Sequence, residues 1–339
     1  MFGKNEKKPP IVVVTGASAG VGRAVVRRYA QDKAKIVLIA RGKDGLHAAA
    51  REVEEAGGEA LAISADVADA DAVEAAAASA EGRFGPIDIW VNVAFAGVFS
   101  RFADMSLADY KRVTEVTYLG QIHGTMAALK RMIPRDHGAI VLVGSALSYR
   151  GIPLQSAYCG AKHAIQGFHD SLRSELLHDK SRVHVTMVAL PGVNTPQFDW
   201  VRNNLGRRAK PASPPYQPEL IAEAIHFAAR TRRKTIQIAW PTVEAIWGDR
   251  FASSLLDRYL ARTAVSGQLS DEPLPPDYRD NLYEPVPGDH GAHGRFDAKA
   301  RQINSKFWFT RHRHALTVLL GAALTVTGTA YTRSRTSKK

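Results

Sequence analysis

Seven short apolar runs punctuate the first 240 residues, at 11–14, 36–39, 60–63, 87–91, 138–143, 183–190 and 235–239. All are too short for a buried helix, and most are too uniformly apolar for a strand with one wet face. Between them lie longer stretches that predict helices over about 22–31, 43–56, 69–81, 107–131 and 157–178. The third of these is alanine-rich, and alanine is the best helix former. Apolar strands alternating with helices predict an α/β fold, a doubly wound parallel sheet with helices on both faces.

The pattern divides the chain further. Residues 1–10 are polar and basic, and 11–240 hold the strand–helix alternation. Residues 241–265 predict an amphipathic helical extension, with Ile246, Phe251, Leu255 and Leu260 as apolar positions within 243–263. Residues 266–310 open rich in Pro, Asp and Gly and predict an irregular basic linker. Residues 311–339 predict an apolar helix with basic flanks: 315–331 carry no charge and lie between Phe307-Trp-Phe309 and Tyr331.

Charge sharpens this division. Of the net +12, the 47 residues from His293 onward contribute +9, through ten Lys/Arg against Asp297 alone. A nearly neutral body argues against a nucleic-acid-binding face. A basic, aromatic-bordered tail suits a membrane anchor facing anionic lipid. Seventeen helical residues span about 25 Å, a little short of a bilayer core. A helix docked on the body or on a second subunit is the alternative, and basic flanks on both sides leave orientation open. The N-terminus lacks the apolar stretch of a secretory signal. With Cys159 as the one cysteine there is no internal disulfide, which suits a reducing compartment. The expectation is a catalytic domain in the cytoplasm, membrane-associated through its tail, with a soluble cytoplasmic protein as the alternative.

Three motifs carry chemistry. Thr15-Gly16-Ala-Ser18-Ala19-Gly20-Val21-Gly22 follows a strand and opens a helix, where glycines let a pyrophosphate approach unpaired amides. The second strand ends at Arg41 with no acid, which favours NADP (NADPH) over NAD because an arginine can clasp a 2′-phosphate. Tyr158 and Lys162 stand four apart, on one helix face, with Ser145 at the end of a strand upstream. A lysine beside the phenol would lower the tyrosine pKa, as a general acid for a carbonyl requires. Cys159 lacks an activating partner and reads as a packed helix residue. The histidines are scattered, so no metal is expected.

In their order along the chain these motifs resemble the short-chain dehydrogenase/reductase family over residues 10–239. The Thr15 to Gly22 loop is followed by Asp66-Val67, Asn92, Ser145, Tyr158-x-x-x-Lys162 and Pro191-Gly192-Val193-Asn-Thr195. The resemblance implies a Rossmann-like fold and hydride exchange between a nicotinamide and a carbonyl or alcohol carbon. It makes Tyr158 the proton donor, Ser145 the holder of the substrate oxygen and Lys162 the ribose ligand that tunes Tyr158. It places Asp66 on the adenine, counts Val67 and Asn92 among the cofactor contacts, and sets 191–195 beside the nicotinamide.

Two departures stand out. Phe95 replaces a glycine in Asn92-Val-Ala-Phe95, and Thr117 replaces the family's asparagine, where its hydroxyl could hold a water in a relay to Lys162. Residues 147–155 and 197–216 are the expected specificity region, the latter either a lid with Phe198 and Trp200 or an ordinary surface loop. The substrate is expected to be lipophilic, and homo-oligomers are common in the family. The competing reading is a nucleotide-binding scaffold or sensor that barely turns over.

Overall fold

In the computed structural model, which describes residues 8–313, the seven apolar runs pair into one sheet. The strands are β1 (Ile11–Thr15), β2 (Lys35–Ala40), β3 (Glu59–Ser64), β4 (Ile89–Asn92), β5 (Ala139–Ser145), β6 (His184–Leu190) and β7 (Thr235–Gln237). Their order is β7-β6-β5-β4-β1-β2-β3, and all neighbours are parallel. Connections leave β1 towards β2 on one side while β4 lies on the other. This reversal opens a crevice at the carboxyl ends of β1 and β4, where open α/β sheets bind ligands.

Alternation along the strands feeds two apolar layers. Val12, Val14, Ile36 and Leu38 face α1 (Gly20–Ala30) and α2 (Lys43–Glu55), while Val13, Val37, Ile140 and Leu142 face the opposite helices. Those opposite helices include α3 (Ala70–Phe84), α4 (Leu107–Thr114), α5 (Gly120–Met132) and α6 (Ser156–His178). Local chemistry starts several of them. Asp69 accepts the Ala72 N–H ahead of α3, and Ser106 accepts the Asp109 N–H ahead of α4, so each side chain satisfies an amide that the first helical turn leaves open.

The structure differs from the sequence pattern in four places. The single helix expected over 107–131 is interrupted by a π-helical turn, Glu115–Leu119, between α4 and α5. Helix α7 (Pro218–Ala229) was not expected, although Pro218 at its first turn and the buried Ile221, Ala224, Ile225 and Ala228 are a readable signal. It covers the sheet beside α1 and completes the first apolar layer.

The third difference is the extension, α8 (Trp240–Gly267), which bends at Ala252. Its apolar positions Phe251 and Leu255 are 78% and 67% exposed, and Trp247 stacks on Phe251 at 5.5 Å rather than entering the core. The fourth is the segment expected as a linker. Within 266–310, Leu269–Pro273 pairs antiparallel with Arg207–Ala209, and Leu282, Ala292 and Phe307 are buried in the domain core. A Pro- and Gly-rich composition thus marks a segment that follows the domain surface in irregular turns. The uncharged run 315–331, expected as a membrane anchor, lies outside the described residues. Among those described, no helix is long and apolar enough to cross a membrane.

Candidate functional site

A cavity of about 450 Å³ runs along the carboxyl ends of the strands, from Arg41 past the glycine loop to Phe198. Gly16, Ser18, Ala19, Gly20, Val21 and Gly22 form its floor. Gly16 has φ +69°, and a Cβ on Gly22 would lie 2.0 Å from the Gly16 carbonyl oxygen, so only glycine permits this turn. Pro191, Gly192, Val193 and Thr195, after β6, form the facing wall. The fit to a dinucleotide is physical: a side-chain-free cradle, the amino end of α1 and a cleft long enough for an extended ligand.

At the inner end, Ser145 closes β5 and Tyr158 stands in the first turn of α6. The Ser145 hydroxyl lies near enough to the Tyr158 phenol to favour its ionised form. The Ser145 Oγ accepts the Leu147 N–H at 3.1 Å, which fixes its rotamer. Burial raises the Tyr158 pKa above that of an ordinary phenol, only partly offset by the nearby Ser145 hydroxyl. This corrects the expected lowering by lysine. The Lys162 amine lies 5.5 Å from the ring centre and donates to the Val143 carbonyl at 2.6 Å. Burial without an acidic partner brings Lys162 down to about 7.

The expected water relay through Thr117 also needs correction. Its hydroxyl donates to the Ala96 carbonyl at 2.8 Å and accepts the Ala96 N–H at 2.9 Å. The π-helical turn carries Thr117 onto that backbone and away from the cavity wall. Asn92 is likewise withdrawn: it accepts from the Trp90 indole at 3.0 Å and donates to Thr125 at 3.1 Å. It braces β4 against α5 and does not line the cavity. Phe95 does line it, edge-on to Tyr158 with ring centres 5.8 Å apart. Cys159 is buried with its pKa raised by that burial, so its thiol is not activated.

The segment 197–216, expected as either a lid or an ordinary surface loop, is packed into the domain through Phe198, Val201, Ala209 and Tyr216. Phe198 is buried between Phe99 and Phe296, at 6.5 and 5.8 Å, and forms a fixed wall with Trp200 and Val201 beside it. Leu147, Ile152 and Gln155 supply the opposite wall.

The outer end holds what sequence reasoning missed. Arg41 donates to the carbonyls of Leu282 and Tyr283 at 3.2 and 2.7 Å and of Asn281 at 2.5 Å. The guanidinium expected on a 2′-phosphate is therefore held by the C-terminal segment. Asp66 pairs with Arg112 and accepts the Ala68 N–H at 3.0 Å. Burial opposes its ionisation, but these partners outweigh that and hold its carboxyl below the ordinary value. Val67 is buried at the cavity edge. Asn281, Pro285, Val286, Gly288 and His290 also line the cavity, and the Gly20 N–H donates to the Gly291 carbonyl at 2.9 Å. No local motif marks these residues; the buried Leu282 is their only apolar anchor before Ala292.

A profile of the short chain dehydrogenase family matches residues 10–205. The chain belongs to this family. An uncharacterized oxidoreductase of Bacillus subtilis, YxnA, is 32% identical over 285 residues, covering 84% of this short-chain dehydrogenase and 80% of that protein. The 3-ketodihydrosphingosine reductase of Bos taurus is 32% identical over 192 residues, 55% of this chain and 57% of that one. Among solved structures, the actinorhodin polyketide ketoreductase with NADPH superposes with a TM-score of 0.60 at 26% identity, covering 68% of this chain and 95% of that one. An alcohol dehydrogenase from the archaeon Thermococcus sibiricus, complexed with 5-hydroxy-NADP, gives 0.59 at 26% identity and covers 68% and 96%. The short-chain dehydrogenase fold here thus binds a nicotinamide cofactor and a small-molecule substrate.

Proposed function

We propose that this short-chain dehydrogenase is an NADP-dependent carbonyl reductase or alcohol dehydrogenase acting on a lipophilic substrate. The observation that carries the reading is the pair of neighbouring Ser145 and Tyr158 hydroxyls on the wall of the dinucleotide cavity. Two hydroxyls converging on one point can hold a single substrate oxygen. The raised pKa of Tyr158 keeps its proton in place until that oxygen begins to gain charge, which suits the donor role in reduction. Ser145, immobilised by the Leu147 amide, would steady the developing oxyanion. The nicotinamide, when bound, supplies or takes the hydride. Gly16 to Gly22 and residues 191–195 would hold the dinucleotide. Lys162 would exchange the Val143 carbonyl for a ribose hydroxyl, which would bring its amine to bear on Tyr158.

Apolar surface from Phe95, Leu147, Ile152, Phe198 and Val201 supports a lipophilic substrate. The absence of an acid after β2, together with Arg41, supports NADP. Both solved neighbours carry NADP-type cofactors, and the matched reductase acts, by its name, on a long-chain ketone. The uncharged run 315–331 and its basic flanks support membrane attachment, which carbonate washing of a membrane fraction tests.

The test of the chemistry is NADPH and NADH absorbance against a panel of ketones, aldehydes and alcohols, with Tyr158→Phe alongside. Turnover is expected with NADPH, and the variant should lose about 10³-fold in kcat while still binding NADPH. A variant within about tenfold of the parent removes Tyr158 from the mechanism. A parent that binds NADPH but turns over nothing in the panel would favour the scaffold reading.

A further inference from the structure

We propose that residues 283–291 form a strap over the outer end of the dinucleotide cleft, one that opens to admit and release the cofactor. This inference rests on the cofactor reading of the cavity. It concerns a stretch outside the part of the chain matched by the family profile.

The strap is built unlike the rest of the site. Leu282 at one end is fully buried in one core layer and Ala292 at the other is 2% exposed in the second. Between these two pins none of the nine residues is buried. What holds the span down is mostly polar: the Gly288 N–H on Asp44 at 2.8 Å, Asp289 on Arg23 at 3.1 Å, the Gly291 carbonyl on the Gly20 N–H at 2.9 Å, the Tyr283 carbonyl on Arg41 at 2.7 Å and the Tyr283 hydroxyl on Asp109 at 3.1 Å, with ring contacts of His290 on Trp200 and Arg202 on Tyr283 beside them. The strap's side of these contacts is largely exposed, so water can replace the strap as their partner. Arg23 keeps Glu52 and the Ser18 and Gly45 carbonyls when Asp289 leaves, so opening strands no buried charge. Gly288 and Gly291 sit at φ +99° and +60°, a conformation that costs glycine little and leaves the span free to change course.

Two latches coincide with the anion-binding chemistry of the cleft. The Gly20 amide opens α1, whose amino end favours a phosphate, and Arg41 is the guanidinium at the end of β2. The closed strap covers both with carbonyl oxygens, while Pro285, Val286 and His290 wall the space beneath it. A cofactor phosphate arriving there competes with the strap for the same donors. Cofactor entry and release are therefore coupled to the strap's latches, whereas Ser145 and Tyr158 at the inner end need not move.

A disulfide across the strap tests this. A Cβ on Gly42 would lie 3.5 Å from the Pro285 Cβ, within disulfide range, and Gly42 has an ordinary extended conformation. In full-length Gly42→Cys/Pro285→Cys protein, oxidised with diamide, stopped-flow fluorescence should show NADPH uptake slowed at least about tenfold relative to the same protein reduced. Protein loaded with NADPH before oxidation should form the disulfide more slowly, because phosphate and closed strap compete for the same donors, and dithiothreitol should restore the uptake rate of the oxidised protein. Equal rates in the oxidised and reduced forms overturn the strap's gating. Cysteines that stay open to thiol reagents after diamide overturn the closed geometry itself. A parent that binds neither NADPH nor NADH overturns the cofactor reading and the strap with it.

Discussion

The two ends of the cavity are held by different physics. At the inner end, Ser145, Tyr158 and Lys162 project from β5 and α6, elements buried in the sheet layers. At the outer end, Arg41 and the Gly20 amide are fixed by backbone carbonyls from a segment more than 240 residues away along the chain. The inner end is rigid because moving it would disturb packed apolar surface. The outer end depends on two buried pins and a set of water-exchangeable contacts. On the proposed function, chemistry that needs sub-ångström placement would sit on the first kind of support, and ligand exchange would be left to the second.

The largest effect expected from breaking this contrast lies at the inner end. Lys162 falls from 10.5 to about 7 on burial, so between those values the unfolded chain binds a proton that the folded chain does not. Stability from this residue should therefore rise as pH rises from about 7 to about 10 and stay flat below 7, with a slope of about 1.4 kcal/mol per pH unit at most. Urea unfolding of the cofactor-free protein across this range should show a steeper rise in the parent than in Lys162→Met. Parallel profiles would mean that Lys162 is charged in the fold.

Next in size is the loss of a pin. Leu282→Ala should cost about 3 kcal/mol in the same urea measurement, because a fully buried leucine leaves a cavity. It should also weaken NADPH binding while leaving the Ser145–Tyr158 end intact, so saturating NADPH should recover kcat. A lost kcat at saturation would show that the two ends are not independent.

The smallest change sharpens the role of Arg41. Arg41→Ala should weaken NADPH binding about tenfold and NADH binding far less, since only NADPH carries the 2′-phosphate. Equal loss for both cofactors, measured by fluorescence titration, would assign Arg41 to the strap alone. The pair of titrations separates a phosphate ligand from a strut.

Much of the inner end was legible in the residues. Strand and helix periods indicated the doubly wound class, and Tyr158 with Lys162 at helical spacing indicated a shared face. The same reasoning erred where a side chain had a closer partner. Thr117 and Asn92 were placed by motif position, yet the π-helical turn delivers Thr117 to Ala96, and the Trp90 indole claims Asn92. The tyrosine was read beside a cation, but burial dominates its titration because the lysine amine is bonded elsewhere. Periodicity reports which face a residue occupies; it does not report which acceptor lies nearest.

The sequence alone determined the sheet, its glycine turn and the set of chemical groups at the strand ends. Each follows from spacing within a few residues: apolar runs, a Gly-x-x-x-Gly-x-Gly loop, a Tyr and a Lys one helical turn apart. Only the tertiary structure decided that residues 266–310 return to the domain, that Leu282 is buried in its core, and that Arg41 faces three carbonyls. Backbone carbonyls belong to every residue and leave no mark in composition. A contact made by them across 240 residues is fixed by the packing of a single leucine and the path of the chain, and becomes visible only when that path is known.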